Sequence, residues 1–285
     1  MDQFFEGSPE AWIRFQRYYY NCILDVDRHI GTVLNALEQT GQAGNTVIVL
    51  VSDHGEMGGV HGLRQKGPWM FKENLSVPFV ISQPDSRSSR QNRGLVSAID
   101  FAPTMLGLVG MDKTEISRRY TAIRGQDISG DLASGSTNRS RTGGGALVTH
   151  SVSHTLDVDF AKKTLARRGA KIGDQDFNSA DYEAGWVPDL SARGFIRGLI
   201  TDDFKFARYF SPRDHHKPVD FDDLISRNDL ELYDLEEDLG ETRNLMSSGS
   251  VSRDLVLSLN DKLNILIEDE VGPDDGRDLS GPTFY

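Results

Sequence analysis

The residues of this chain with the clearest chemical potential stand together at Ser52-Asp53-His54-Gly55. Aspartate offers a hard carboxylate and histidine a borderline imidazole nitrogen, so neighbours at a bend can both turn toward one divalent ion. Gly55 would give the backbone the freedom for that bend. The same tetrapeptide also fits a plain loop in which the aspartate caps a turn. The chain continues Glu56-Met57-Gly58-Gly59-Val60-His61-Gly62-Leu63-Arg64-Gln65-Lys66-Gly67, glycine-rich enough to bring backbone close to a ligand. Lys66 is either an ordinary solvated cation or a charge at the mouth of the same crevice. In the second case it could stabilise negative charge developing on an ester oxygen. His61 stands open between polarising a bound ester and capping its own loop.

These residues need elements to position them. From Trp12 to Leu37, the apolar Ile23, Val26, Ile30, Val33, Leu34 and Leu37 fall three or four apart, which predicts an amphipathic helix stopped by Gly41. Thr46 to Val51 is a continuous β-branched and apolar run, predicting a strand buried on both faces. Helix followed by buried strand suggests a parallel α/β sheet, with Asp53 and His54 at a strand's carboxyl end, where such sheets build ligand crevices. A second strand is expected at Val77-Pro78-Phe79-Val80-Ile81 and an exposed loop from Gln83 to Gly94. A short strand near Leu95 should lead into a helix through Met105 and Leu108, with Asp100 as N-cap.

Beyond a Gly-, Ser-, Thr- and Arg-rich stretch from Ile128 to Gly145 the texture changes. Residues 146–149, 194–200 and 204–210 read as strands of a small antiparallel sheet, the last two joined through Thr201-Asp202-Asp203. A helix is expected from about Ser252 to Glu268. Residues 1–135 and 146–285 are therefore read as two parts of the chain. His215-His216 and the acidic run Asp234, Glu236, Glu237 and Asp238 read as solvated loops, the latter because it lacks the alternation and central glycine of a calcium loop. Tyr18-Tyr19-Tyr20 point to different faces of a helix, which favours helix packing over a stacking platform.

The 285 residues carry a net charge of -12, which argues against a nucleic-acid partner, because backbone phosphates are bound through clustered Lys and Arg. An anionic substrate stays compatible if a metal or a local lysine reverses the potential in one cleft. The single cysteine excludes an intrachain disulfide framework. No run approaches the ~20 apolar residues of a membrane helix, so no membrane span is expected.

Order and spacing of these motifs resemble the sulfatase family of the alkaline phosphatase superfamily. The resemblance rests on Asp27-Arg28-His29-Ile30-Gly31, the Val47 to His54 strand and corner, His61-Gly62-Leu63-Arg64-Gln65-Lys66, Ser76-Val77-Pro78-Phe79-Val80, Asp100-Phe101-Ala102-Pro103-Thr104 and the Leu232 to Leu245 block. It implies an α/β fold: the C-terminal part of a sulfatase-like mixed sheet flanked by helices within residues 1–135, and a small antiparallel C-terminal subdomain in residues 146–285. It further implies Asp53 and His54 as ligands of a divalent cation, calcium first, with Mg2+, Mn2+ or Zn2+ as alternatives. Lys66 becomes the catalytic cation on the sulfate oxygens, with His61 beside it as a substrate-binding residue.

Two departures qualify the expected activity. The family's paired N-terminal aspartates and its Cys-x-Pro-x-Arg nucleophile segment do not occur here; Cys22 sits in Asn21-Cys22-Ile23-Leu24-Asp25 and reads as a small apolar helix residue. The expectation is thus a sulfate monoester hydrolase present as its C-terminal portion, inactive as an isolated chain, whose partner is the missing N-terminal half of the same fold. The alternatives are a phosphonate or phosphate ester hydrolase of the superfamily, which Asp-His at the corner also suits, and a non-catalytic remnant or binding module.

Overall fold

The computed structural model describes residues 8–84, 89–134, 141, 144–151, 191–215, 217–249 and 251–273. The chain divides into two compact units, Met1–Ser89 and Arg90–Tyr285.

The first unit opens with helix α1, Pro9–Gln39. Ser8 caps it by accepting from the Ala11 amide at 3.3 Å, and Pro9 occupies the first helical position, where a missing N–H costs nothing. Gly41, at φ 71°, ends it: the Gln42 amide reaches back to the Leu37 carbonyl at 3.2 Å, a closure that needs a left-handed residue. The expected helix is therefore present, but its apolar stripe is not covered, with no residue of α1 buried and Val26 and Val33 56% and 67% exposed. Tyr18 and Tyr20 are likewise exposed, so the packing role expected of them is not met.

Strand β1, Ile48–Val51, pairs with β2, Phe79–Ser82, in antiparallel register, Val51 opposite Phe79 and Ile48 opposite Ser82. The parallel pairing suggested by helix-then-strand order is not what forms between these two strands. A parallel return needs a crossover of a dozen or more residues, usually a helix. Here the connection is the glycine-rich loop and one four-residue helix, Lys72–Leu75. Burial on both faces is not seen either, since Leu50 and Val51 are exposed.

The second unit begins without the strand expected near Leu95; a 3-10 turn, Ala98–Asp100, leads directly into the helix Phe101–Leu108. Asp100 precedes that helix, but its carboxylate does not cap it. One oxygen accepts from the Ser97 amide at 2.9 Å and the other from the Gln126 amide at 2.8 Å. Arg141 neutralises it, pairing with both Asp100 and Glu270, and all three side chains are buried. Much of the stretch 128–145, including residues 135–140, lies outside the described residues, as do His216 and the end of the chain from residue 274.

The C-terminal sheet runs β3 (Ala146–Ser151), β4 (Phe195–Ile200), β5 (Phe204–Phe210) and β6 (Asn228–Asp234), all antiparallel in that order. The helix Arg253–Glu270 covers one face, placing Val256, Leu259, Leu263, Leu266 and Ile267 against Leu199, Phe206 and Leu232. Each such buried side chain contributes ~1.5–3 kcal/mol, so this face is the main core of the unit. Arg208 is enclosed beneath the same helix, donating to the amide oxygens of Asn260 at 2.7 Å and Asn264 at 2.9 Å. Strand β6, unforeseen from sequence, is one of the two edge strands of the sheet. The Asn244 side chain covers it, accepting from the Leu232 amide at 3.0 Å and donating to the Leu230 carbonyl at 3.1 Å.

Candidate functional site

The chain turns directly after β1. Ser52 Oγ donates to the His54 carbonyl at 2.9 Å, and Asp53 Oδ1 accepts from the His54 amide at 3.0 Å, a local closure available to short polar side chains. His54 Nδ1 lies 2.9 Å from the Gly55 carbonyl. A carbonyl only accepts, so Nδ1 carries the ring proton and Nε2 faces outward. Nε2 stands 3.4 Å from Asp53 Oδ2. Two donor atoms from adjacent residues thus meet at one point, and either a second ring proton or a cation shared between them satisfies the pair.

The Asp53 carboxyl is held below its usual value. Desolvation is the largest single influence and pulls upward, but the His54 amide, the His54 ring and the Lys66 ammonium together outweigh it. Asp53 is therefore a carboxylate at neutral pH, and Lys66 is close enough to act on it electrostatically. The corner thus presents one hard carboxylate and one borderline imidazole nitrogen side by side. Among the described residues no group of three or more His, Cys, Asp or Glu side chains is arranged to hold a metal ion.

The loop from Gly55 to Gly67 owes its path to left-handed residues. Gly58, Gly59 and Gly62 have φ of 60°, 106° and 71°, and the non-glycine His61 and Gln65 have 55° and 64°. Non-glycine residues in that region carry strain of order 1–3 kcal/mol and persist only where their surroundings fix them. The fixing contacts are visible. Glu56 Oε1 accepts from the Gly58 amide at 3.2 Å and also from the Gln65 amide. Met57, Leu63 and Met70 are buried beneath the loop, and Gln16 of α1 donates to the Gly58 carbonyl at 3.3 Å. Gly55 is required by contact: a Cβ there would lie 1.9 Å from the Glu73 carbonyl oxygen.

The structure therefore puts Asp53 and His54 in direct contact and Lys66 within electrostatic reach of Asp53. His61 is stacked on Phe71, with ring centroids 3.8 Å apart and planes 18° apart. Sequence reasoning missed Glu56, Phe71 and Asn74. Asn74 is buried, accepts from the Gly67 amide at 3.1 Å and donates to the carbonyls of Gly67 at 2.7 Å and Trp69 at 2.9 Å. An asparagine in the short segment between the glycine-rich loop and the second strand, where its side chain can bond nearby backbone, was the available signal.

Residues 2–111 match the sulfatase family model. The uncharacterized sulfatase YidJ of Escherichia coli is 42% identical over 98 residues, 34% of this chain and 19% of that protein. The endo-4-O-sulfatase of Bacteroides thetaiotaomicron is 37% identical over 95 residues, 33% of this chain and 19% of that protein. Among solved structures, BT4656 in complex with its substrate D-glucosamine-2-N,6-O-disulfate superposes with a TM-score of 0.61 at 20% identity, covering 90% of this chain and 41% of that one. A 2-O GAG sulfatase, BT1596, gives a TM-score of 0.58 at 18% identity, covering 90% and 42%. The chain spans less than half the length of these structures, and the matched stretch about a fifth of the curated relatives. The matched residues 2–111 include the Asp53-His54 corner and its whole loop, so the similarity to sulfatases covers the candidate site.

Proposed function

We propose that this chain supplies the metal- and sulfate-binding portion of a sulfatase that hydrolyses sulfate monoesters. Asp53 and His54 hold a divalent cation, calcium first, and Lys66 holds sulfate oxygens and stabilises the charge that develops on the leaving oxygen. The observation that supports this is the meeting of Asp53 Oδ2 and His54 Nε2 at 3.4 Å, with the Lys66 charge acting on the same carboxylate. A cation bound there would supply Lewis-acid polarisation of the ester. The chain's own part is to keep Asp53 ionised, to fix the His54 tautomer through the Gly55 carbonyl and to hold Lys66 near both. The nucleophile belongs to a segment outside residues 1–285, since neither Cys22 nor any Ser here stands in a Cys/Ser-x-Pro-x-Arg setting. Sulfated sugars are the first substrate class to test, because relatives 37% and 36% identical over their matched stretches are an endo-4-O-sulfatase and an N-acetylglucosamine-6-O-sulfatase.

Two measurements test the reading. In the 285-residue chain, Mn2+ at roughly millimolar concentration should broaden the His54 ring resonances, and Asp53→Ala should remove that effect. Binding should be weak, since calcium prefers about six to eight oxygen ligands and this corner offers two residues. In protein carrying the nucleophile segment, Lys66→Ala should lower sulfate-ester turnover about 100- to 1000-fold, with Lys66→Arg rescuing only in part. An aryl phosphate and an aryl phosphonate serve as competing substrates. Unbroadened His54 resonances overturn the metal assignment, and unchanged turnover in Lys66→Ala removes Lys66 from the site.

A further inference from the structure

We infer that Asn74 is the positioning residue that sets the separation between the Asp53-His54 corner and Lys66. The inference rests on reading those three residues as one site, but its geometry stands separately. The loop between them leaves the corner at Gly55 and ends at Gly67, the residue after Lys66. Both ends are bound to the same residue. The Gly55 amide donates to the Asn74 main-chain carbonyl at 3.0 Å, and the Asn74 side chain grips Gly67 at both its amide and its carbonyl, at 3.1 and 2.7 Å. A third bond, to the Trp69 carbonyl at 2.9 Å, keeps the amide plane from rotating.

The residue type follows from this bonding. Only a carboxamide on a short stem can accept from one backbone amide while donating to two carbonyls; aspartate loses both donations when ionised, and leucine of similar size makes none. Because Asn74 is buried, water cannot replace the lost bonds without opening the loop. Glu56 does different work. It accepts from the Gly58 and Gln65 amides, and the Met57 amide donates to the Gln65 carbonyl at 3.3 Å, so these bonds close the loop one or two residues in from its ends, whereas Asn74 binds Gly55 and Gly67 themselves. The direct approach of Gly55 to the Glu73 carbonyl makes the near end rigid, so displacement after loss of Asn74 would appear at the far end, at Lys66.

The test reads that displacement in the full chain. A nitroxide is placed on Val51→Cys, an exposed position at the end of β1, in a Cys22→Ala background, and Lys66 is observed through its 13C-methylated ammonium resonance. The label should broaden both Lys66 and the amide of Phe79, its partner in the β1–β2 register. In Asn74→Ala the Lys66 broadening should be largely lost while that of Phe79 is retained, a pattern that general unfolding does not produce. Asn74→Asp, which keeps the acceptor for Gly67, should give an intermediate loss. Equal Lys66 broadening with and without Asn74 overturns the inference. If Asn74→Ala also loses the Phe79 effect, Asn74→Asp decides: native Lys66 broadening there overturns the inference, and selective loss supports it. His54 resonances insensitive to Mn2+ together with selective loss at Lys66 would sink the metal reading and leave Asn74's role intact.

Discussion

Gly55 and Asp53 sit two residues apart and show how differently local sequence speaks about a site. The contact between Asp53 and His54 was legible in their adjacency, and the turn that brings them together is closed by short-range bonds of Ser52 and Asp53. The need for glycine at 55 was legible only as flexibility. The actual reason is the Glu73 carbonyl 1.9 Å from where a Cβ would stand, a contact across 18 residues that no local pattern records. Glu56 and Asn74 escaped notice for a different reason: their partners are backbone groups two to nine residues away in an irregular loop, where no periodic pattern marks them. Gly55→Ala should therefore destabilise the first unit by about 2 kcal/mol or more, because the obstacle is backbone and no rotamer relieves it. Thermal unfolding followed by the fluorescence of Trp12 and Trp69 measures this. An unchanged midpoint would mean that the 73–74 segment yields freely.

The C-terminal strands and helix were legible as elements wherever apolar residues fell at the right period. Strands β3, β4 and β5 and the helix Arg253–Glu270 lie close to where patterning placed them. Strand β6 was not, because Asn228, Asp229, Glu231 and Asp234 interrupt its apolar residues, and its place depends on pairing with β5. Glu231 makes that cost measurable. Tyr209 donates to it at 3.0 Å across the β5–β6 pair. Burial raises its carboxyl above the usual value, opposed by the Tyr209 hydroxyl and the Lys205 charge and aided by Glu241. A raised carboxyl favours the protonated native state, so its stabilising share is fully present below the ordinary value of about 4.3 and is lost as pH rises through the raised one. Glu231→Gln, a fixed neutral isostere, should match the parent near pH ~4 and exceed it in urea resistance near pH ~8. A constant difference across that range would show that Glu231 titrates normally.

At the scale of the whole chain, each of the two units is held together internally, and by unequal means. In the second, the sheet and its helix bury a continuous set of leucines and phenylalanines, with the Asp100-Arg141-Glu270 and Lys205-Glu241 pairs enclosed beside them. In the first, the buried apolar side chains among the described residues are Met57, Leu63 and Met70, all beneath the loop of the candidate site. Ile23, Val26 and Val33 of the α1 stripe and the carboxyl end of β1 lie exposed. Periodicity revealed those stripes but could not say whether anything covers them, because amphipathic spacing marks a face as fit for burial and leaves the partner unspecified. Opening free energy follows buried apolar contact, so the two units should differ in protection. Amide hydrogen exchange should be fast along α1 and β1, slower at Gly55 and Gly67 around Asn74, and slowest in β4, β5 and the helix Arg253–Glu270. A hydrophobic dye should bind the chain at the same time, and labelling by dye and by exchange should report the same unit. Exchange in α1 as slow as in β4, with no dye bound, would show that the exposed stripe is covered in solution and that the first unit is as firmly held as the second.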